Sequence, residues 1–170
     1  ALTPVYVQNY PFGSLSGISF PRLNLTLFRK GKKIASHTGA VLLTHQCFSG
    51  PGILDFSRFI EKDDELVLSF IPHSPEDFEK DLLKNTQAQG KKLLKTLLLN
   101  YDLPERFILK ILELTSITKD TLLSQLTKIQ RKALAQNLTQ SRFMVERLGE
   151  WSMAMTTRGG VSLGEINRKT

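Results

Sequence analysis

The sequence predicts an α+β fold: an antiparallel β-barrel-like part made from both chain ends, with an inserted small helical bundle. Three observations predict it. Apolar residues recur at spacing two near the start, as at Leu23, Leu25 and Leu27, and again after Ser141, as at Phe143 and Val145. Between Pro75 and Asn137 the spacing changes to the three-and-four repeat of amphipathic helices. Strands at both ends with helices between them are joined most economically when the two ends share one antiparallel sheet or barrel. The implied division is residues 1–72 plus 138–170 for the barrel and 73–137 for the helices.

Val5 and Val7 mark a short first strand, and Asn9-Tyr10-Pro11-Phe12-Gly13-Ser14 a turn. Leu15 to Phe20 is mixed, and Pro21 is expected to interrupt any ladder there, since it lacks an N–H. The Leu23–Leu27 alternation is a half-buried strand. Arg29-Lys30-Gly31-Lys32-Lys33 reverses it as a solvated hairpin tip, and Lys33 to Thr38 returns. Gly39 is expected to break that arm before the apolar strand Ala40-Val41-Leu42-Leu43. The stretch Thr44-His45-Gln46-Cys47-Phe48-Ser49-Gly50-Pro51-Gly52 then reads as a strand end, a tight polar turn and a helix start. Ser49 is the expected N-cap, Gly50 the bend and Pro51 the first helical position. Ile53, Leu54, Phe56 and Phe59 would form the buried face. After the polar loop Lys62-Asp63-Asp64, Leu66, Leu68 and Phe70 alternate as another strand.

At Pro72 the period changes. Ser74 caps a helix with Pro75 at its first position, Glu76 and Asp77 in its first turn, and Phe78, Leu82 and Leu83 inward. Gly90 interrupts. Leu93, Leu94, Leu97 and Leu98 form a second helix, and Pro104 opens a third with Phe107, Ile108, Ile111 and Leu112 inward. Ser116 or Thr118 would cap a fourth through Leu122, Leu123 and Leu126. Thr127 would cap a fifth that buries Ile129, Ala133 and Leu134. Beyond Ser141, Phe143 and Val145 would pair with Trp151, Met153 and Met155 as a hairpin around Leu148-Gly149-Glu150. That second arm would run on into Thr156-Thr157-Arg158-Gly159-Gly160-Val161.

Composition limits the function classes. No apolar run approaches the ~20 residues that span a bilayer as a helix, so no membrane is expected. The single cysteine, Cys47, suits a reducing compartment, and a cytoplasmic location is expected. Net charge is +7, but the excess is spread over the chain. Residues 1–74 carry seven Lys/Arg against five Asp/Glu, 75–137 eleven against eight, and 138–170 five against three. On that ground no nucleic-acid partner is expected. The chain begins without Met and stops without a tail, which suggests a segment of a longer protein.

Three histidines and one cysteine show no zinc spacing, so no metal is expected. No Gly-x-Gly-x-x-Gly or P-loop pattern occurs, so the chain lacks its own dinucleotide cradle. Cys47 and His45 lie two apart, but no third group orients them as a nucleophilic pair. A helix start beside Thr44, His45 and Ser49 can hold an anion or a polar cofactor edge. It can equally be a well-capped chain reversal. Gly159-Gly160 would let a ligand approach the backbone closely, or make an ordinary turn.

Two patterns converge on one family. The stretch from Thr44 to Arg58 resembles the Thr-His-x-Gly-x-Ser-Gly-Pro…Leu-x-x-Ser-Arg signature of aminoacetone-oxidase-type or BaiN-like FAD/NAD(P)-dependent flavoproteins. The stretch from Thr156 to Thr170 resembles that family's Val-Thr-x-Gly-Gly-Val…Glu-Ile…Lys-Thr-Met segment. Ala1-Leu2-Thr3-Pro4 and Leu15-Ser16-Gly17-Ile18-Ser19 are similar to two further stretches of it, so the resemblance covers the whole chain. It departs at Gln46-Cys47, where the family has an aromatic residue and Gly. The resemblance implies a middle, insert domain between two halves of a Rossmann-like FAD domain. FAD, with NAD(P) as a candidate second cofactor, would then be held by the two missing halves, and this segment alone would be inactive. Thr44, His45, Ser49, Gly50, Pro51, Thr157, Gly159, Gly160 and Val161 would face the flavin or an unknown small-molecule substrate. The competing reading is a non-catalytic binding module for nucleic acid or protein.

Overall fold

In the computed structural model, residues 2–156 are described. Six strands close into an antiparallel barrel in the order β1-β4-β3-β2-β5-β6. They are β1 (Val5–Val7), β2 (Ser19–Arg29), β3 (Lys32–Leu43), β4 (Phe48–Ser49), β5 (Glu65–Ser69) and β6 (Ser141–Leu148). Helix α1 (Pro51–Phe56) lies along β3. Helices α2 (Pro75–Gln89), α3 (Leu94–Leu98), α4 (Glu105–Leu114) and α5 (Lys128–Thr139) lie between β5 and β6 in the chain. The fold is α+β.

The period-two pattern does what it must in a small barrel. Leu23, Leu25 and Leu27 point inward with Leu66 and Leu68 of β5, while Asn24 stays exposed. β2 and β3 pair from Ser19↔Leu42 to Arg29↔Lys32. β5 pairs with β2 from Asn24↔Ser69 to Phe28↔Glu65. β6 pairs with both β5 and β1 and so closes the ring. The helices cover one barrel end through an aromatic cluster. Phe107 of α4 lies 4.4 Å from Phe70, 4.9 Å from Phe20 and 5.6 Å from Phe12, ring centre to ring centre. Phe12 also meets Phe48 and Phe143, so the rings fill the barrel mouth. Buried apolar residues of barrel and helices form one continuous core.

Helix starts follow their caps. Ser74 Oγ accepts from the Asp77 N–H (3.1 Å). Thr127 and Gln130 form a reciprocal capping box, with Gln130 N–H donating to Thr127 Oγ1 at 3.2 Å.

Pro21 interrupts the β2–β3 ladder as expected: pairing stops after Phe20↔Val41 and resumes at Leu23↔Gly39, although β2 itself continues through it. Four expectations are corrected. Gly39 does not break β3, which runs unbroken with Gly39 opposite Leu23. The fourth helix is only a single 3-10 turn, Leu123–Gln125. Ile129 is 81% exposed, whereas α5 buries Leu134 as expected, together with Ala135 and Leu138. Finally, among the described residues nothing after Glu150 pairs with β6 as a hairpin arm. Trp151–Met153 is a 3-10 turn, and the chain then pairs with its own beginning: Leu2 N–H donates to the Thr156 carbonyl oxygen (2.9 Å) and Met155 N–H to that of Leu2 (3.0 Å).

Candidate functional site

The link from β3 to β4 is a turn built around one hydroxyl. Thr44 Oγ1 donates to the Cys47 carbonyl oxygen (2.8 Å) and accepts from the N–H groups of Cys47 (3.1 Å) and Gln46 (3.4 Å). A threonine used this way replaces a backbone turn bond, so its oxygen is committed inside the turn. Cys47 Sγ lies 3.1 Å from the same oxygen, and the residue is 5% exposed. His45 is exposed. The spacing of two therefore does not pair thiol with imidazole, because the segment bends instead of running as a strand. The His45 carbonyl oxygen packs on Gly13, where a Cβ would come within 2.7 Å of it. Tyr10 sits edge-on to Phe48 at 5.1 Å, and burial pushes its phenol well above the ordinary tyrosine range.

Ser49 is not the N-cap. It belongs to β4, opposite Leu42, and its place is taken by Gly50, with Pro51 following in the first turn. Gly50 has φ +90°, a left-handed backbone that glycine adopts without strain, and a Cβ there would meet Leu42 N at 2.8 Å. Gly52 of α1 lies against Gly39 of β3. A Cβ on Gly52 would come within 2.7–2.9 Å of the Gly39 carbonyl carbon, Gly39 Cα and the Ala40 oxygen. The glycines of this motif thus allow helix and strand to touch backbone to backbone, with Ile53 and Phe56 buried alongside.

The Thr44 hydroxyl is spent inside the turn, Ser49 lies in the ladder, and Gly50 and Gly52 are backed by β3. Pro51 and the His45 imidazole remain exposed at this rim. Thr157, Gly159, Gly160 and Val161 lie outside the described residues. The last described residue, Thr156, stands beside Leu2, beyond the Val5 end of β1, whereas the His45 turn lies by Gly13, beyond the Val7 end.

The rim where Leu2 meets Thr156 carries features that sequence reasoning missed. A groove of about 270 Å³ is lined by Thr3, Ser57, Arg58, Ile60, Leu148 and Trp151, among others. Thr3 donates its N–H to Ser57 Oγ (3.1 Å), while its own hydroxyl is buried and finds no hydrogen-bond partner among the described residues. Around the groove Phe59 is 44% exposed, Trp151 73% and Met155 76%. The signal in the sequence was Trp151 itself, assigned above to a strand arm that does not form. Near this rim Asp64, 1% exposed, accepts from Arg29 Nε (2.8 Å), Arg29 Nη2 (2.9 Å) and the Glu61 N–H (2.8 Å). Burial opposes its ionisation, but the Arg29 and Glu61 hydrogen bonds outweigh that and hold the carboxyl below its usual range. Among the described residues no helix is long and apolar enough to cross a membrane, and no His/Cys/Asp/Glu group could hold a metal ion.

A family model described as "HI0933-like protein barrel and H2TH domain" matches residues 1–155. A Haemophilus influenzae protein named ribosomal RNA dihydrouridine synthase is 27% identical over 157 residues, covering 92% of this chain and 37% of that protein. An Escherichia coli protein of the same name is 28% identical over 160 residues, with 92% and 37% covered. The chain therefore spans well under half the length of these curated relatives.

Proposed function

We propose, from the premise that this chain belongs to the HI0933-like barrel and H2TH domain family, a flavoprotein family, that it is the insert module of an FAD-dependent oxidoreductase acting on ribosomal RNA. The observation that carries the reading is the match itself. Barrel and helices together correspond to 37% of two relatives, both named for dihydrouridine synthesis in ribosomal RNA. Dihydrouridine is uridine with two electrons and two protons added across its C5–C6 bond, a reduction that a bound flavin supplies in enzymes of this class, with NAD(P) as the candidate electron source. This reading takes RNA as substrate and so departs from the expectation of no nucleic-acid partner.

The pairing of Leu2 with Thr156 supports the insert reading: positions far apart in the chain stand side by side there, as an insert between two halves of a host domain requires. Those halves hold FAD, and the exposed Phe59, Trp151 and Met155 around the Thr3 groove dock against them. The module covers the flavin and substrate cavity. Of the turn residues, His45, Gln46 and Pro51 are exposed, and the His45 imidazole is the group offered to substrate.

Two measurements test this. The purified chain mixed with FAD should leave flavin absorbance and fluorescence unchanged, while the full-length protein purifies yellow. Deleting the gene should remove a dihydrouridine from ribosomal RNA, and the full-length protein should restore it. Stoichiometric FAD binding by this chain alone overturns the insert reading, and an unchanged dihydrouridine content overturns the substrate.

A further inference from the structure

We propose that one corner of the helical layer grips backbone phosphates of ribosomal RNA, a proposal that rests on the preceding reading of the substrate. Two acid-free basic stretches carry it. Residues 84–95 contain Lys84, Lys91, Lys92 and Lys95 without Asp or Glu, and residues 121–132 contain Lys128, Arg131 and Lys132 without either. The fold sets them edge to edge. Leu93 bridges Leu122, and Leu94 N–H donates to the Thr121 carbonyl oxygen (3.0 Å). In return the N–H groups of Leu123 and Ser124 donate to the carbonyl oxygens of Lys92 and Gly90, both at 3.0 Å. Lys119 enters the same junction two residues before Thr121.

Within the two stretches Lys95 is paired with Glu105 and Lys132 shares a groove with Glu76 and Glu79, and elsewhere on the helices Lys80 pairs with Asp77 and Lys110 with Glu113. Lys91, Lys92, Lys119 and Lys128 have no ion pair among the described residues. Lys91, Lys119 and Lys128 are exposed. From residue 114 to 132 the one acid is Asp120. Beside Lys128, Ile129 stands 81% exposed, an apolar side chain that α5 leaves uncovered in this corner. Counting charge along the chain averages this concentration away, because its two halves are some thirty residues apart in sequence. Lysines without acidic neighbours recognise phosphate as point charges, so the corner sets the position of the RNA and carries no base preference.

The test uses the full-length protein and a fluorescein-labelled fragment of bacterial ribosomal RNA, titrated at several salt concentrations. K91E/K92E/K128E is compared with K30E/K32E/K33E at the β2–β3 tip, which makes the same change in net charge. The corner variant should bind about 100-fold more weakly at low salt, with its log K against log salt slope reduced by ~2–3. The tip variant should lose several-fold less. The corresponding Lys→Gln sets, read the same way, exclude misfolding caused by reversed charge. Equal losses in the two variants, or no loss at the corner, overturn the proposal. So does retention by anionic lipid vesicles in place of RNA. If the corner variant binds normally while the wild type still restores dihydrouridine, the surface fails and the substrate stands. If RNA binding falls as expected but deletion leaves dihydrouridine intact, the converse holds.

Discussion

Replacing Gly52 with alanine gives opposite predictions from local propensity and from packing. Gly→Ala inside a helix ordinarily stabilises by up to ~1 kcal/mol. Here the new Cβ would sit 2.7, 2.8 and 2.9 Å from the Gly39 carbonyl carbon, Gly39 Cα and the Ala40 oxygen. All three are backbone atoms of β3 and cannot rotate away. Relief requires α1 to lift off the strand by more than half an ångström, loosening the contacts of the buried Ile53 and Phe56. Overpacking of this kind costs about 1–3 kcal/mol, and a rigid backbone partner puts the seam at the upper end. After subtracting the propensity gain, the net loss is about 2 kcal/mol. In urea the midpoint should fall by roughly 1 M with the slope unchanged. Gly17→Ala is the control: its Cβ meets nothing within 4 Å, leaving only the strain of φ +92°, about 1 kcal/mol. A Gly52→Ala midpoint equal to or above wild type would refute the argument, since it would mean that the seam has slack.

Three further outcomes are expected. Arg29→Met leaves the Asp64 carboxylate buried without its cation and should lower the urea midpoint at neutral pH. In the wild type Asp64 titrates below its unfolded value, so the pair's contribution is present above the ordinary carboxylate range and is lost as pH falls through the folded value. Acid unfolding of Arg29→Met should accordingly begin at higher pH. Phe107→Ala removes the ring that meets Phe12, Phe20 and Phe70, with an expected loss of about 3–5 kcal/mol by denaturation and a helical layer that exchanges amide hydrogens before the barrel does. Thr44→Val keeps the shape but removes the oxygen that organises the turn. It should lose about 1–2 kcal/mol, and a thiol reagent should label Cys47 faster than in wild type.

Much of the fold was legible because its signals are periodic. Leu23–Leu27 announced a barrel strand, and Ser74-Pro75 and Thr127 announced helix starts whose hydrogen bonds are present. The failures came where a tertiary contact overrode a local rule. Gly39 reads as a breaker, yet it is glycine because Gly52 must touch it. Ser49 has the chemistry of a cap, but β3 claims it as a strand partner. The Thr44–Pro51 motif was found from sequence, but not the use of its threonine as internal scaffolding. The Arg29–Asp64 pair and the lysine corner were invisible for a different reason. Each joins residues that are distant along the chain, and neither half is unusual alone.

The order in which the barrel's staves are made has a consequence for synthesis. Of the barrel's described strands β6 is the last to be made, yet β1 and β5 both need it as a neighbour. Until it emerges, two open edges flank a nascent sheet whose apolar lining is already present, a state prone to pairing with other chains. The helices made in that interval can already shield Phe12, Phe20 and Phe70 through Phe107. A slow codon run anywhere between Ser69 and Leu148 would prolong that open-edged interval.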